Sequence, residues 1–209
     1  RHEIIAKFSL PENFPVLFEN DAICFSKGEV LRNFNGKYER VLSITLGTGL
    51  GACFIENNKI ITDDIRVPEE GTLYNVPYRH SIAEEYISTR ALVLRYYHLT
   101  GNKIDNGKQL FDLAVEGNEP AKQTFSDMGQ AMANVLLPWM QSFKPECLII
   151  GGKIGNASEF FLPAFNQKIT QHNISLDLHI SSDNEASALV GAAGLIVEEM
   201  AIAKNFKQF

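Results

Sequence analysis

The chain has 209 residues, 45% of them hydrophobic, and a formal net charge of −6 at neutral pH. That is enough apolar material for a sizeable core in one large domain or two small ones, and it excludes a disordered chain. The acidic balance argues against a nucleic-acid surface within this segment, and no apolar run approaches the ~18 residues of a membrane span.

In chain order, the residues after Arg1 run toward a strand, and an opening on Arg rather than Met reads as a piece of a longer protein. No basic-then-apolar signal segment opens the given sequence, and the expectation is a cytoplasmic protein. Residues 15–18 read as a short strand followed by the polar Glu19-Asn20-Asp21, at the strand end where open α/β sheets place chemistry. Residues 22–30 read as a short helix ending near Gly28, and residues 41–61 as consecutive hairpins. Residues 62–80, with Pro68, Gly71 and Pro77, read as loop. Ser81-Ile-Ala-Glu84 has the form of a capping box and predicts a helix over residues 81–99, stopped by Gly101. Further helices are predicted over 106–115, over 118–143 with a kink at Pro138, over 158–170 and from about Glu185. Residues 147–150 form an apolar strand ending in Gly151-Gly152, and residues 176–180 form another. Hairpins followed by alternating helix and strand predict a mixed α/β layer fold.

The run Thr45-Leu46-Gly47-Thr48-Gly49-Leu50-Gly51-Ala52 is the strongest local signal. Glycines at a strand end let the backbone turn sharply and expose N–H groups to a phosphate. No Gly-Lys-Ser/Thr closes the turn and no helix opens after it, so neither a P-loop nor a dinucleotide fingerprint fits. Strand-like Ala52-Cys-Phe-Ile55 and a tight Asn57-Asn58 turn follow, which makes this a glycine hairpin between strands. That order is found in the phosphate-binding halves of actin-like ATPases and sugar kinases.

Asn20-Asp21-Ala22, the glycine turn, Glu84-Glu85-Tyr86-Ile87-Ser88 and Leu148-Ile-Ile-Gly-Gly152 fall in the order and approximate spacing of the ROK family. This family groups bacterial sugar kinases with sugar-responsive repressors of the same fold. The resemblance implies an α/β, actin-like (ribonuclease H-like) lobe with a mixed sheet flanked by helices, corresponding to about the last two-thirds of a typical member. It implies ATP and Mg²⁺ as cofactors and a small-molecule sugar as partner. Asp21 becomes the candidate general base, Asn20 and Glu84 sugar contacts, and Gly47, Thr48, Gly49 and Gly51 the cradle for terminal phosphates. Gly151 and Gly152 would lie against the adenosine. Each has a plainer reading: Asn20-Asp21 as a helix cap, the glycines as an ordinary hairpin or strand end, and Glu84 as the closing partner of Ser81.

The pattern breaks where most ROK proteins carry Gly-Glu-x-Gly-His and a cysteine cluster that together hold zinc. The counterpart here is Gly71-Thr72-Leu73-Tyr74-Asn75, and Cys24, Cys53 and Cys147 are scattered among apolar neighbours, so no zinc is expected and the cysteines read as buried thiols. Asn75 is left as the sugar contact of that loop. The Asp-x-Gly-x-Thr hairpin that opens ROK kinases is absent from the chain, and the final helix is expected to leave Leu195, Ile196 and Met200 partly uncovered for an N-terminal lobe. The resulting expectation is a glucokinase-like phosphotransferase acting on a hexose or amino sugar. The alternatives are a non-catalytic sugar-binding regulator and a protein that keeps the fold only for oligomerisation. A homodimer is expected by resemblance, with residues 62–80 as candidate contacts.

Overall fold

The computed structural model describes residues 1–12, 14–34 and 36–206, with side chains as far as Val197 in the last helix. The order is α1 (His2–Lys7), α2 (Asp21–Glu29) running into a π turn at Val30–Phe34, β1 (Arg40–Leu46), β2 (Leu50–Glu56) and β3 (Lys59–Ile61). A 3-10 turn at Glu69–Gly71 leads to β4 (Pro77–Tyr78), β5 (Ser81–Ile82) and a second such turn at Ala83–Glu85. Then come α3 (Thr89–Thr100), α4 (Gly107–Val115), α5 (Glu119–Phe143), β6 (Cys147–Gly151), α6 (Ser158–Gln171), β7 (Asp177–Ile180) and α7 (Asn184–Phe206).

The main sheet has the order β3-β2-β1-β6-β7. The β3-β2-β1 ladder is antiparallel and β1, β6 and β7 are parallel. Because side chains alternate across a strand, Leu42, Ile44, Leu46, Leu148 and Ile150 enter the larger core, beneath α3 to α6. Val41, Cys53, Ile55, Cys147 and Ile149 face the other way and pack with Phe25 of α2 and Ala188 of α7. On this second face α2 and α7 touch through their backbones: a β-carbon at Gly28 would lie 1.7 Å from the Ser187 carbonyl oxygen, and one at Gly191 1.7 Å from that of Cys24. Helix α2 does end near Gly28, at Glu29, and Gly28 has the further role of letting α7 in.

Several expectations are corrected. Residues 2–7 are helical, not strand-like, and residues 15–18 form no regular element. Phe14, Leu17 and Phe18 are exposed there, and Pro15 offers no N–H to a ladder. The helix predicted from Ser81 begins eight residues later, at Thr89, with the Ser88 side chain accepting from the Ala91 N–H as its cap. Glu84 lies in a 3-10 turn, so the Ser81–Glu84 capping box does not form. Residues 62–80 hold a 3-10 turn and a short strand as well as loop. Helix α5, by contrast, has its expected extent, capped by Asn118 and ending at Phe143 with Pro138 inside it. In α7, Leu195 and Ile196 are half-buried while Leu189 and Val197 are exposed; the Met200 side chain lies outside the described residues. No helix among the described residues is long and apolar enough to cross a membrane.

Candidate functional site

A cavity of about 860 Å³ opens beyond the C-terminal end of β1 and the turn after β6, between the N-termini of α2 and α7. The β1–β2 hairpin carries Gly47, Thr48 and Gly49 into it. The turn is held by its carbonyl: both the N–H and the Oγ1 of Thr89, at the start of α3, donate to Gly47 O at 2.8 Å. The Gly47 N–H is used internally, donating to Gly49 O at 3.1 Å. Among the described residues, no protein acceptor takes the N–H of Thr48 or Gly49. Two free donors at a helix-flanked turn suit an oxyanion.

Glu84 lies at the centre of the arrangement. Its Oε2 accepts from the Leu50 N–H at 3.0 Å, and a β-carbon at Gly49 would sit 2.5 Å from that same oxygen. Its own N–H donates to the Tyr74 carbonyl at 3.1 Å. The carboxylate that the sequence pattern assigns equally well to a local cap thus reaches 34 residues back to the glycine turn. Gly51 serves α2: a β-carbon there would lie 2.7 Å from the Ala22 β-carbon and 2.3 Å from Thr45 Oγ1, so its absence brings the N-terminus of α2 against the hairpin.

Asn20 and Asp21 both line the cavity, and the helix-cap reading is realised alongside it. The Ala22 N–H donates to Asn20 Oδ1 at 2.8 Å and to Asp21 Oδ1 at 2.9 Å. That leaves the Asn20 amide donors and Asp21 Oδ2 for a ligand. Beside Asp21, Cys24 has its thiol pKa raised by burial and by the charges of Glu19 and Asp21. Cys53 is pushed up to about 12 by burial.

Gly152 lines the far side with φ +84°, and a β-carbon there would meet Leu46 O at 2.2 Å. Its N–H donates to Asn184 Oδ1 at 2.8 Å, which ties the β6 turn to the start of α7. Two of the sequence-derived positions are not on the wall. Gly151 is buried behind it, where a β-carbon would strike the Phe25 ring at 2.3 Å, so it supports the site without facing it. Asn75 also lies off the lining, with its Oδ1 accepting from Thr72 Oγ1 at 3.3 Å, because the loop turns Thr72 and Tyr74 inward instead.

Sequence reasoning missed Glu70, Tyr74, Lys153 and Asn184, all on the wall. A basic residue directly after Gly151-Gly152 and an Asn opening the last helix were the available signals; nothing local marks Glu70 or Tyr74. The loop behind them is anchored by Leu73, which is fully buried, and by Tyr78 edge-on to Tyr86 with Arg79 over both rings. Among the described residues, no group of three His, Cys, Asp or Glu side chains is placed to hold a metal ion.

Residues 2–199 match the ROK family. The chain belongs to that family. Among curated ROK relatives, a glucokinase from Thermotoga maritima is 25% identical, the match covering 88% of this chain and 67% of the relative. A xylose repressor from Caldicellulosiruptor bescii is 21% identical over 90% of this chain and 53% of its own length. The chain spans between about half and two thirds of the length of the curated relatives it matches. Among solved structures, a ROK family glucokinase from Streptomyces griseus in complex with glucose and AMPPNP superposes with a TM-score of 0.75 at 24% identity, covering 93% of this chain and 70% of that one. The mixed sheet flanked by helices is therefore the ROK form of the actin-like ATPase fold.

Proposed function

We propose that this chain is the C-terminal lobe of an ATP-dependent sugar kinase that transfers the γ-phosphoryl group to a hydroxyl of a hexose or amino sugar. The observation that carries the reading is one cavity holding a turn with two free N–H donors beside the Asp21 and Glu84 carboxylates. The N–H groups of Thr48 and Gly49 bind phosphate oxygens, and the Lys153 ammonium adds charge on the same wall. Asp21 accepts the proton of the attacking hydroxyl as its oxygen bonds to phosphorus and ADP leaves, an assistance worth ~10² to 10⁴ in rate. Asn20 and Glu84 take sugar hydroxyls, and Asn184 with Gly152 shapes the nucleotide end. Such transfer rests on positioning and charge stabilisation, for which Mg²⁺ bound with ATP supplies the neutralising charge.

A second reading has its own observation. Thr72 and Asn75 stand where the resemblance places Glu and His, and a repressor is among the relatives. A sugar-binding regulator would keep the cavity and lose turnover.

The test is a coupled ADP-release assay on the full-length protein that contains this chain, with Mg-ATP and a panel of hexoses and N-acetylhexosamines. Sugar-dependent turnover that Asp21→Ala abolishes, with the fold and nucleotide binding retained, supports the kinase. Undiminished turnover in Asp21→Ala ends the base assignment. No turnover with sugar still raising Tm supports the regulator.

A further inference from the structure

Two residues on the cavity wall have side chains without a polar or ring partner among the described residues, although the loop backbone around them is hydrogen-bonded. Glu70 has φ +56° and ψ 13° inside the Glu69–Gly71 turn, a left-handed conformation that a side chain with a β-carbon rarely adopts. Its side chain is exposed, and among the described residues its carboxylate has no hydrogen bond or ion pair. Tyr74 leaves 45% of its surface to solvent, and its hydroxyl and ring have no partner among the described residues. Between them Leu73 is fully buried, so the loop is pinned at its centre while Tyr74 and Glu70 both line the cavity. A strained acidic residue and an uncovered aromatic ring, both on the wall of one cavity, mark a place where ligand binding rather than stability sets the residue type.

We infer that Glu70 and Tyr74 form the specificity wall of the sugar half of this cavity, the ring stacking on an apolar C–H face of a pyranose while the carboxylate accepts its hydroxyls. The inference rests on reading the cavity as a sugar site. Neither residue reacts; both position the sugar. Tyr74 is tied into the machinery through its backbone, since its carbonyl accepts from the N–H of Glu84, whose carboxylate grips the glycine turn. With Asp21, Glu70, Glu84 and Glu185 lining the cavity against one lysine, Lys153, which the proposed function gives to the phosphates, the favoured substrates are neutral or cationic sugars, and sugar acids and sugar phosphates are repelled. Thr72, whose hydroxyl bonds within the loop to Glu69 O and Asn75 Oδ1, braces the turn behind this wall.

The experiment is calorimetric titration of the full-length protein with glucose, N-acetylglucosamine and glucuronate, alongside ADP release and thermal unfolding. Tyr74→Ala is expected to weaken glucose or N-acetylglucosamine binding roughly tenfold, and Tyr74→Phe to restore most of that loss, because the ring stacks. Glu70→Gln is expected to weaken binding to a similar extent, roughly tenfold, through KM with little change in kcat. Glu70→Gly is the variant a purely structural role would not explain: it relieves the positive φ and raises Tm by roughly 2–4 °C, yet loses sugar affinity. Wild-type affinity in Tyr74→Ala and Glu70→Gln, with sugar-dependent ADP release intact, overturns the wall and leaves the kinase standing. Weakened sugar binding in the variants, with no ADP release from the wild type, upholds the wall and removes the kinase. Glucuronate binding as tightly as glucose, or neither neutral sugar binding the wild type, overturns the wall.

Discussion

The two faces of the sheet are built from different chemistry. Beneath α3 to α6 the buried positions are apolar almost throughout: Leu42, Ile44, Phe54, Leu148, Phe161 and Phe165 are fully covered. Against α2 and α7 the fold buries Ser26, Lys27, Glu29, Ser43 and Ser187. Polar groups are costly to bury unless bonded, and most of these are. Glu29, 1% exposed, accepts from Ser187 Oγ at 2.5 Å and from Ser181 Oγ at 2.7 Å, and its other oxygen meets His179 Nε2 at 2.9 Å and the Asn33 amide at 2.9 Å. The apolar face supports the glycine turn and the Leu73 loop from beneath, while the polar face fixes the helices that bear Asp21 and Asn184. The apolar core is held by close packing, whereas α2 and α7, which carry both ends of the site, are fixed by directional bonds and backbone contact.

The sharpest way to break this contrast is to truncate both sides. Phe54→Ala removes a fully buried ring that meets Phe143 edge-on at 5.3 Å, and a loss of about 4 kcal/mol in denaturant unfolding is expected. Glu29→Ala leaves two serine hydroxyls, an amide and an imidazole without their acceptor, and is expected to cost about 3 kcal/mol. If the two faces differ as described, nucleotide protection of the full-length protein survives Phe54→Ala at temperatures where it stays folded, but weakens in Glu29→Ala. Equal loss in both would erase the distinction.

At the rim of the apolar face, Arg66 lies over the Phe143 ring and bonds both Glu56 and Asp64. The bonds from Arg66 hold Asp64 down at about 2 and Glu56 below the usual carboxylate range. Folded pKa values below the unfolded ones mean that the unfolded chain takes up protons first as the medium acidifies. The clamp's contribution is therefore complete above the unfolded values, near 4, and disappears as pH falls toward 2. Thermal unfolding of Arg66→Met should show a shallower loss of Tm across that window; an unchanged acid slope would deny the clamp any role.

The smallest effect belongs to Ser43, whose buried hydroxyl has no hydrogen-bond partner among the described residues. Ser43→Ala is expected to be neutral or stabilising, within about 1 kcal/mol. A clear destabilisation would show that this hydroxyl is bonded in solution.

Sequence periodicity sufficed wherever burial alone decides structure. The four helices beginning at Gly107, Glu119, Ser158 and Asn184, and strands β1, β2, β6 and β7, all lie within a residue or two of their expected places. It failed where a side chain serves a distant partner. Ser81 and Glu84 have the spacing of a cap, but the bond to Leu50 N–H lies across the fold, and no local pattern records it. The glycine turn, Asn20 and Asp21 were legible as neighbours because each sits at the end of a strand or helix. That Asn75 lies off the lining was not legible, because which loop side chains turn inward depends on the buried Leu73 anchor and the Glu70 turn, not on spacing.

Where Gly28 meets Ser187 and Gly191 meets Cys24, no side chain separates the backbones of α2 and α7. The two helices pack backbone to backbone, so the cavity ends at Asp21 and Asn184 rest on one shared contact. A substitution that enlarges either glycine must push the two helices apart, and with them the cavity ends at Asp21 and Asn184.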